Sequence, residues 1–257
     1  MNLAETEKII NSLIHAFIDL GNLSLDLRKK GLKKKIKSDN TSVTNADIEI
    51  NNIITKKISN LTPNIKIVSE ETSSNKGNEN LNNFWLIDPI DGTHGYINGK
   101  DEFTINAALI LNKKPAAGII NAPDKGRLFY SFGLSNSFEI NNNGKIKLIC
   151  KKKSKQNEVN AVSHSNNHKP EIIELYKKYN VTNFTKMKSS LKFCVIASGE
   201  YDFYAAEPRA QEWDIAAGHA ILEHAGGIIT DFNENEISYG KKDFKNLSLI
   251  LKRGINL

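Results

Sequence analysis

One stretch of the chain decides how the rest is interpreted, and it runs Trp85-Leu86-Ile87-Asp88-Pro89-Ile90-Asp91-Gly92-Thr93. Its apolar residues predict a short β-strand that ends at Asp88, where the following proline fixes a turn. Asp91 comes three residues later, so that both carboxylates can face one point. Gly92 lets the backbone approach a ligand, and Thr93 places a hydroxyl at a predicted helix N-terminus, whose amides suit a phosphate. Two carboxylates beside a phosphate cradle indicate a magnesium site, because magnesium prefers oxygen ligands.

Taken alone, an Asp-x-x-Asp-Gly motif is also typical of an ordinary turn or a calcium loop. Further acidic segments accompany it, and they are Asp39 to Asp47, Ser69-Glu70-Glu71 and Glu212-Trp213-Asp214. Each of these has an ordinary explanation too. Glu70 can belong to a solvated loop, and Asp47 and Asp214 can simply cap the helices that they begin.

The composition narrows the class of protein. With 257 residues, 39% of them hydrophobic, the chain can bury one large core or two smaller ones. The net charge of +6 raises the possibility of nucleic-acid binding. Its basic segments, Arg28 to Lys37 and Lys151 to Lys155, have no interleaved aromatic residues, which favours a solvated lysine-rich surface and no nucleic-acid polymer as partner.

The location of the protein is predicted from its lack of a membrane span, its lack of an export signal and its low number of cysteines. No apolar run approaches the roughly 18 residues of a membrane span, so no stable membrane insertion is expected. The start of the chain reads as an amphipathic helix without an export signal, and two cysteines are too few for a disulfide framework. We therefore expect a cytoplasmic protein.

Helical and strand patterns alternate along the chain, which predicts a layered α/β (α+β) fold. The chain should open with a helix, and a second helix should follow the capping residue Thr44. A loop is predicted from Thr72 to Asn83. The polar segment after residue 145 suggests a soft boundary between an N-terminal α+β half, residues 1–145, and a C-terminal α/β half, residues 146–257.

The four acidic segments together resemble the signature blocks of the inositol monophosphatase superfamily, in the same order. Within that superfamily, Asp101 to Asn106 and Ser189 to Cys194 resemble the CysQ-type 3′(2′),5′-bisphosphate nucleotidases. The resemblance implies a sugar-phosphatase αβαβα sandwich with the site between its halves. It also implies hydrolysis of adenosine 3′,5′-bisphosphate, a by-product of sulfate assimilation, to AMP and phosphate, with sensitivity to lithium.

The same resemblance implies roles for individual residues. One magnesium ion would be held by Glu70, Asp88, the Ile90 carbonyl and the Thr93 hydroxyl, and a second by Asp88, Asp91 and Asp214, with two or three ions in all. Catalysis would use Glu70 and Thr93, with Asp47 behind them, to position a metal-activated water. The transferred phosphate would contact the Gly92 and Thr93 amides, and Asp214 would assist the leaving oxygen.

Ser189 and Lys192 would contact the second phosphate of a nucleotide substrate, since a cation and a hydroxyl suit a dianion. Two segments depart from the nucleotidase pattern, namely His94-Gly95-Tyr96 and Ala205-Ala206-Glu207, which stands where many nucleotidases carry an arginine. Arg209 can compensate for that arginine. The alternatives that stay open are an inositol monophosphatase-like enzyme acting on another sugar or polyol phosphate, and a basic nucleic-acid-binding protein. A small phosphorylated metabolite is the expected partner of a monomer or homodimer.

Overall fold

The computed structural model describes residues 1–37, 41–72, 81–150 and 158–254. Asp39, the basic segment Lys151 to Lys155, and most of the loop predicted from Thr72 to Asn83 lie outside these residues.

Helices and strands alternate along the described chain. The helices are α1 (Leu3–Lys30), α2 (Asn45–Leu61), α3 (Thr93–Ile97), α4 (Pro170–Lys178), α5 (Leu191–Ala197) and α6 (Glu212–His224). The strands are β1 (Lys34–Ile36), β2 (Ser42–Thr44), β3 (Lys66–Ser69), β4 (Phe84–Asp91), β5 (Thr104–Leu111), β6 (Lys114–Ala122), β7 (Arg127–Ser131), β8 (Ser137–Asn141), β9 (Gly144–Lys147), β10 (Val159–Ser163), β11 (Val181–Lys186), β12 (Phe203–Ala206), β13 (Ile228–Thr230) and β14 (Leu249–Lys252).

Two large sheets organise these elements. Strands β3 to β9 form a seven-stranded sheet in sequence order, with β3 and β4 parallel and all later neighbours antiparallel. The five-stranded sheet has the order β11-β10-β12-β14-β13, in which β10 pairs parallel with both β11 and β12, and β14 pairs antiparallel with both β12 and β13. Strands β1 and β2 pair separately as a two-stranded sheet.

Three apolar cores separate the layers and confirm the predicted αβαβα sandwich. Because strand side chains alternate between the two faces of a sheet, Trp85 and Ile87 pack against α1 and α2, while Phe84 and Leu86 face α5 and α6. The five-stranded sheet covers the other side of α5 and α6, and α4 packs on its outer face. The layer order is therefore α1 and α2, the first sheet, α5 and α6, the second sheet, and α4.

The two N-terminal helices form where the sequence predicts them. Helix α1 buries Ile10, Leu13, Phe17 and Leu20, which recur at helical spacing. Helix α2 begins after Thr44, whose side chain accepts a hydrogen bond from the Ala46 amide at 3.2 Å, in a reciprocal capping box with the residue at the third helical position.

The sequence does not predict four of the strands, which are β1, β2, β9 and β11. β9 lies in the segment interpreted as a polar boundary. All residues of β1 and β9, and all but the first residue of β11, are exposed. An exposed strand at a sheet edge is stabilised by backbone pairing, so its sequence carries no alternation of apolar residues.

The first sheet uses residues 66–147 and the second uses residues 159–252. Their facing sides share one apolar core with α5 and α6, so the division into halves at residue 145 stays a prediction. In the part of the chain that the structure describes, the helices are all too short or too polar to cross a membrane.

Candidate active site

The Asp88 and Asp91 carboxylates share one face of β4 because the strand contains a β-bulge. The sequence predicted a turn after Asp88, but β4 continues to Asp91, and the pairing shifts between Asp88↔Asn106 and Asp91↔Thr104. One extra residue in β4 puts side chains three positions apart on the same face. Ile87 and Ile90 accordingly both point into the core beneath α1 and α2. The strand ends at Asp91, and the next residue, Gly92, has a φ of +90°, which favours glycine.

Asp47 and Thr93 form a hydrogen-bonded pair that joins α2 to α3. Asp47 is 1% exposed, and its Oδ2 accepts hydrogen bonds from the Thr44 amide at 2.8 Å and hydroxyl at 2.5 Å. The Thr93 hydroxyl lies 3.3 Å from Asp47 Oδ1 and 2.9 Å from the Ile90 carbonyl oxygen. Burial raises the pKa of Asp47 above its usual range, although these hydrogen bonds oppose the shift. Asp47 is thus the third-position member of the α2 capping box, whose cap residue is Thr44, and also a neighbour of the site.

Glu70 and Asp88 are buried carboxyl groups whose pKa values are both raised. Burial raises the pKa of Glu70 to about 7, and Lys37, whose Nζ lies 3.5 Å from Glu70 Oε1, opposes this rise only in part. Lys37 pairs more closely with Glu71, at 2.8 Å. Burial, followed by the charges of Glu70, Asp91 and Asp214, raises the pKa of Asp88 well above its usual range. These carboxylates therefore lie close enough to destabilise one another when all are ionised.

Asp214 reaches the same place from the other half of the chain. It lies in the first turn of α6, and its Oδ2 accepts a hydrogen bond from the Gln211 amide at 2.8 Å. Burial and the charge of Asp91 raise the pKa of Asp214 well above its usual range. The structure thus brings together the Glu70, Asp88, Asp91 and Asp214 carboxylates from separate segments.

Ser190 connects two of these carboxylate-bearing segments, although no pattern in the sequence singles it out. Its amide and its hydroxyl lie 2.5 and 2.6 Å from Asp91 Oδ2, and the hydroxyl lies 2.8 Å from the backbone oxygen of Asp214. The only signal in the sequence was its position inside the Ser189 to Cys194 segment. A serine there is equally compatible with a simple helix cap.

The donor set fits magnesium chemically, since it consists of carboxylates, a hydroxyl and a backbone carbonyl. Mutual repulsion among the buried acids is the condition that a divalent cation relieves. In the described residues, no group of three or more His, Cys, Asp or Glu side chains is arranged to hold a metal ion as it stands. Several of these carboxylate oxygens are hydrogen-bonded to protein groups instead, so side-chain rotations would accompany metal binding.

A cavity of about 620 Å³ opens beside the carboxylates. Asp91, Gly92 and Asp214 line one part of it. The remaining charged lining is mostly basic and consists of Lys100, Lys186, Lys188, Lys192 and Arg209, with Glu102 among them. A cavity with carboxylates at one end and basic residues along its wall suits a ligand with several negative charges. One phosphate of such a ligand can bind at the carboxylates through metal cations, while the basic wall attracts the rest.

Ser189 and Lys192, which the resemblance assigns to substrate contacts, both line this cavity. Lys192 is 7% exposed, its Nζ donates a hydrogen bond to the Ser189 carbonyl oxygen, and it lies 5.4 Å from the centre of the Tyr204 ring. Burial lowers the pKa of Lys192 to about 8, against the attraction of Asp91. Ser189 has a φ of +56°, a left-handed conformation that costs energy for a serine.

The two departures from the nucleotidase pattern also lie at the cavity. Ala206 and His94 are among the lining residues, and so is Arg209. Arg209 thus supplies a guanidinium in the wall that contains Ala206.

Comparison with known proteins agrees with this geometry. The model of the inositol monophosphatase family matches residues 5–254. The 3′(2′),5′-bisphosphate nucleotidase CysQ of Buchnera aphidicola is 37% identical over 213 residues, which is 82% of this chain and 79% of the relative. CysQ of Haemophilus influenzae is 28% identical over 250 residues, covering 94% and 91%. The crystal structure of CysQ from Bacteroides thetaiotaomicron superposes with a TM-score of 0.77 at 26% identity and covers 98% of both chains.

The fold, the cluster of carboxylates and the family match define a phosphatase of the sugar-phosphatase type. The chain belongs to the inositol monophosphatase family.

Proposed function

We propose that the protein is a magnesium-dependent 3′(2′),5′-bisphosphate nucleotidase that hydrolyses the 3′-phosphate of adenosine 3′,5′-bisphosphate to give AMP and phosphate. The observation that carries this proposal is that Asp91, Asp214 and the buried Lys192 all line the same cavity. A substrate with two phosphates can place one at the carboxylates and the other at the basic wall. The similarity to curated CysQ nucleotidases supports the same substrate class.

Magnesium would be held by Glu70, Asp88, Asp91 and Asp214, with the Ile90 carbonyl and the Thr93 hydroxyl. When bound, it would neutralise the charge of the phosphate and make a water molecule a better nucleophile. The N-terminal half, residues 1–145, would supply most of these ligands and the C-terminal half, residues 146–257, would supply Asp214. The cleft between them would then form the site.

The chain's own groups orient the reactants. The Thr93 hydroxyl can donate to Asp47 Oδ1, and its lone pairs could then accept a hydrogen bond from water and orient that water toward the phosphate. The Gly92 and Thr93 amides lie at the start of α3 and can donate to the transferred phosphate. Attack by water would form a new P–O bond as the P–O3′ bond breaks. The water would lose one proton and the 3′ oxygen would gain one, which gives AMP and inorganic phosphate, and Asp214 would lie beside that leaving oxygen.

The basic wall would select the substrate. Lys192 and Ser189 would contact the 5′-phosphate, and Arg209 would replace the arginine that many nucleotidases carry elsewhere. An ammonium or guanidinium bound to phosphate forms strong charge-assisted hydrogen bonds. A monophosphate ester lacking this second dianion would forgo those contacts.

A substrate panel tests the proposal. Phosphate release should be measured with adenosine 3′,5′-bisphosphate, inositol 1-phosphate and fructose 1,6-bisphosphate while magnesium is titrated from zero. We expect magnesium-dependent turnover with the highest kcat/KM for the adenosine bisphosphate. Preference for inositol 1-phosphate would instead support an inositol monophosphatase-like enzyme. Salt-sensitive binding of oligonucleotides without turnover would support the nucleic-acid-binding alternative.

A further inference from the structure

Ser190 lies where three structural elements meet at the carboxylate cluster. It is 2% exposed and immediately precedes α5. Its hydroxyl is 2.6 Å from Asp91 at the end of β4, 2.8 Å from the backbone oxygen of Asp214 in α6, and 2.8 Å from the Asn106 side-chain nitrogen in β5. One hydroxyl thus contacts both halves of the chain.

The chemistry of a hydroxyl fixes the direction of these hydrogen bonds. Serine has one hydrogen to donate and two lone pairs to accept with. The Asn106 amide can only donate, so the Ser190 oxygen accepts from it. The single Ser190 proton then goes to Asp91 Oδ2 or to the Asp214 carbonyl oxygen, and an ionised carboxylate is the stronger acceptor.

These hydrogen bonds fix the orientation of the Asp91 carboxylate. The Ser190 amide also donates to Asp91 Oδ2, at 2.5 Å, so both hydrogen bonds from Ser190 converge on one carboxylate oxygen. Asp91 itself lines the cavity, and neither hydrogen bond from Ser190 uses its other oxygen, Oδ1. The Asn106 Oδ1 atom is buried and has no hydrogen-bond partner among the described residues, so the contact with Ser190 is what holds this amide.

We propose that Ser190 is a positioning residue that orients Asp91 and ties it to the first turn of α6, so that Asp91 and Asp214 can bind a divalent cation together. This inference rests on the proposed function, because it assigns the cation to that site. Hydrogen-bond partners of carboxylate ligands fix ligand geometry, and changing them typically lowers metal affinity or activity about 10- to 100-fold.

The experiment compares Ser190→Ala with Ser137→Ala. Ser137 is a matched control because it is fully buried and its hydroxyl donates to the α6 carbonyl of Ile221 at 2.9 Å, away from the carboxylates. The primary readout is the Kd for magnesium alone, by isothermal titration calorimetry. The second is the dependence of kcat and KM on magnesium concentration with adenosine 3′,5′-bisphosphate.

We expect Ser190→Ala to raise the magnesium Kd about 10-fold or more. The kcat at limiting magnesium should fall in parallel and recover in part at high magnesium, with little change in substrate KM. Ser137→Ala should lower the melting temperature and leave the Kd unchanged. Ser190→Thr keeps the hydroxyl and should restore most of the affinity, which a merely structural role does not predict.

A wild-type Kd in folded Ser190→Ala would overturn the positioning role while leaving the proposed function intact. Absence of both magnesium binding and turnover in the wild-type protein would overturn the proposed function, and this inference with it. If Ser190→Ala does not fold, Asn106→Ala provides the test. It removes the donor to Ser190 without touching Asp91, and the magnesium Kd should rise by a smaller factor. An unchanged Kd in Asn106→Ala would then refute the inference.

Discussion

Replacing Lys192 with Met should remove the preference for a substrate with two phosphates. Lys192 is 7% exposed and lines the cavity, so its ammonium contacts a bound phosphate with little competing water. A hydrogen bond to a charged group contributes about 1.5–3 kcal/mol, and burial favours the upper part of that range. Taking about 2 to 3 kcal/mol, kcat/KM for adenosine 3′,5′-bisphosphate should fall about 30- to 150-fold. Methionine preserves the length of the apolar stem.

Adenosine 3′-monophosphate isolates the contact, because it lacks the phosphate that Lys192 is proposed to bind. Continuous phosphate-release assays of the wild-type protein and of Lys192→Met on both substrates give four values of kcat/KM. Together these form a thermodynamic cycle that isolates the coupling between the side chain and the second phosphate. The loss on the monophosphate should be less than about 3-fold, a small fraction of the charged hydrogen bond. Lys178→Met is the control variant, since Lys178 is exposed, pairs with Glu234 at 2.9 Å and does not line the cavity.

The pH dependence of this preference follows from the pKa of Lys192, which burial lowers to about 8. The ammonium is charged below that pH and loses its proton as the pH rises through it. In the wild-type protein, the ratio of kcat/KM for bisphosphate over monophosphate should therefore be highest below pH 8 and decline above it. Equal losses on both substrates in Lys192→Met, or a ratio that does not change with pH, would refute the assignment of Lys192 to the second phosphate.

Three further changes test other parts of the structure. Asp88→Asn should abolish nearly all magnesium-dependent phosphate release, and substantial residual turnover would contradict its role. The melting temperature without metal should stay equal or rise, since the change removes a buried carboxylate that its neighbours repel. Gly118→Ala would place a Cβ 2.4 Å from the Ala217 carbonyl oxygen, so urea titration should show a loss of about 1–3 kcal/mol from overpacking β6 against α6. Burial lowers the pKa of His224 to about 4. Below pH 6.5 this histidine therefore takes up a proton in the unfolded chain but not in the folded one. Folding stability should then decrease as the pH falls from 6.5 toward 4. The free energy of unfolding of His224→Gln, followed by urea titration across that range, should decrease less steeply than that of the wild-type protein, and parallel curves would contradict this account.

The sequence predicted a layered fold because buried helices and strands contain recognisable patterns of apolar residues. Apolar residues recur at helical spacing in α1, and they form continuous buried runs in β4 and β5. The edge strands β1, β9 and β11 have no such pattern, since exposed strands pair through backbone groups that are the same for every residue.

The candidate site divides in the same way. The sequence by itself determined which oxygen-bearing residues were available, because Glu70, Asp88, Asp91 and Asp214 each follow or precede a recognisable element. Their distances from one another were decided only by the tertiary structure. The bulge in β4 is one example, because it depends on pairing with β5 and overrides the turn that the proline predicted. Ser190 is another, since its hydroxyl gains its partners only when α5 packs between the two sheets, and contacts between residues up to 99 positions apart leave no local pattern in the chain.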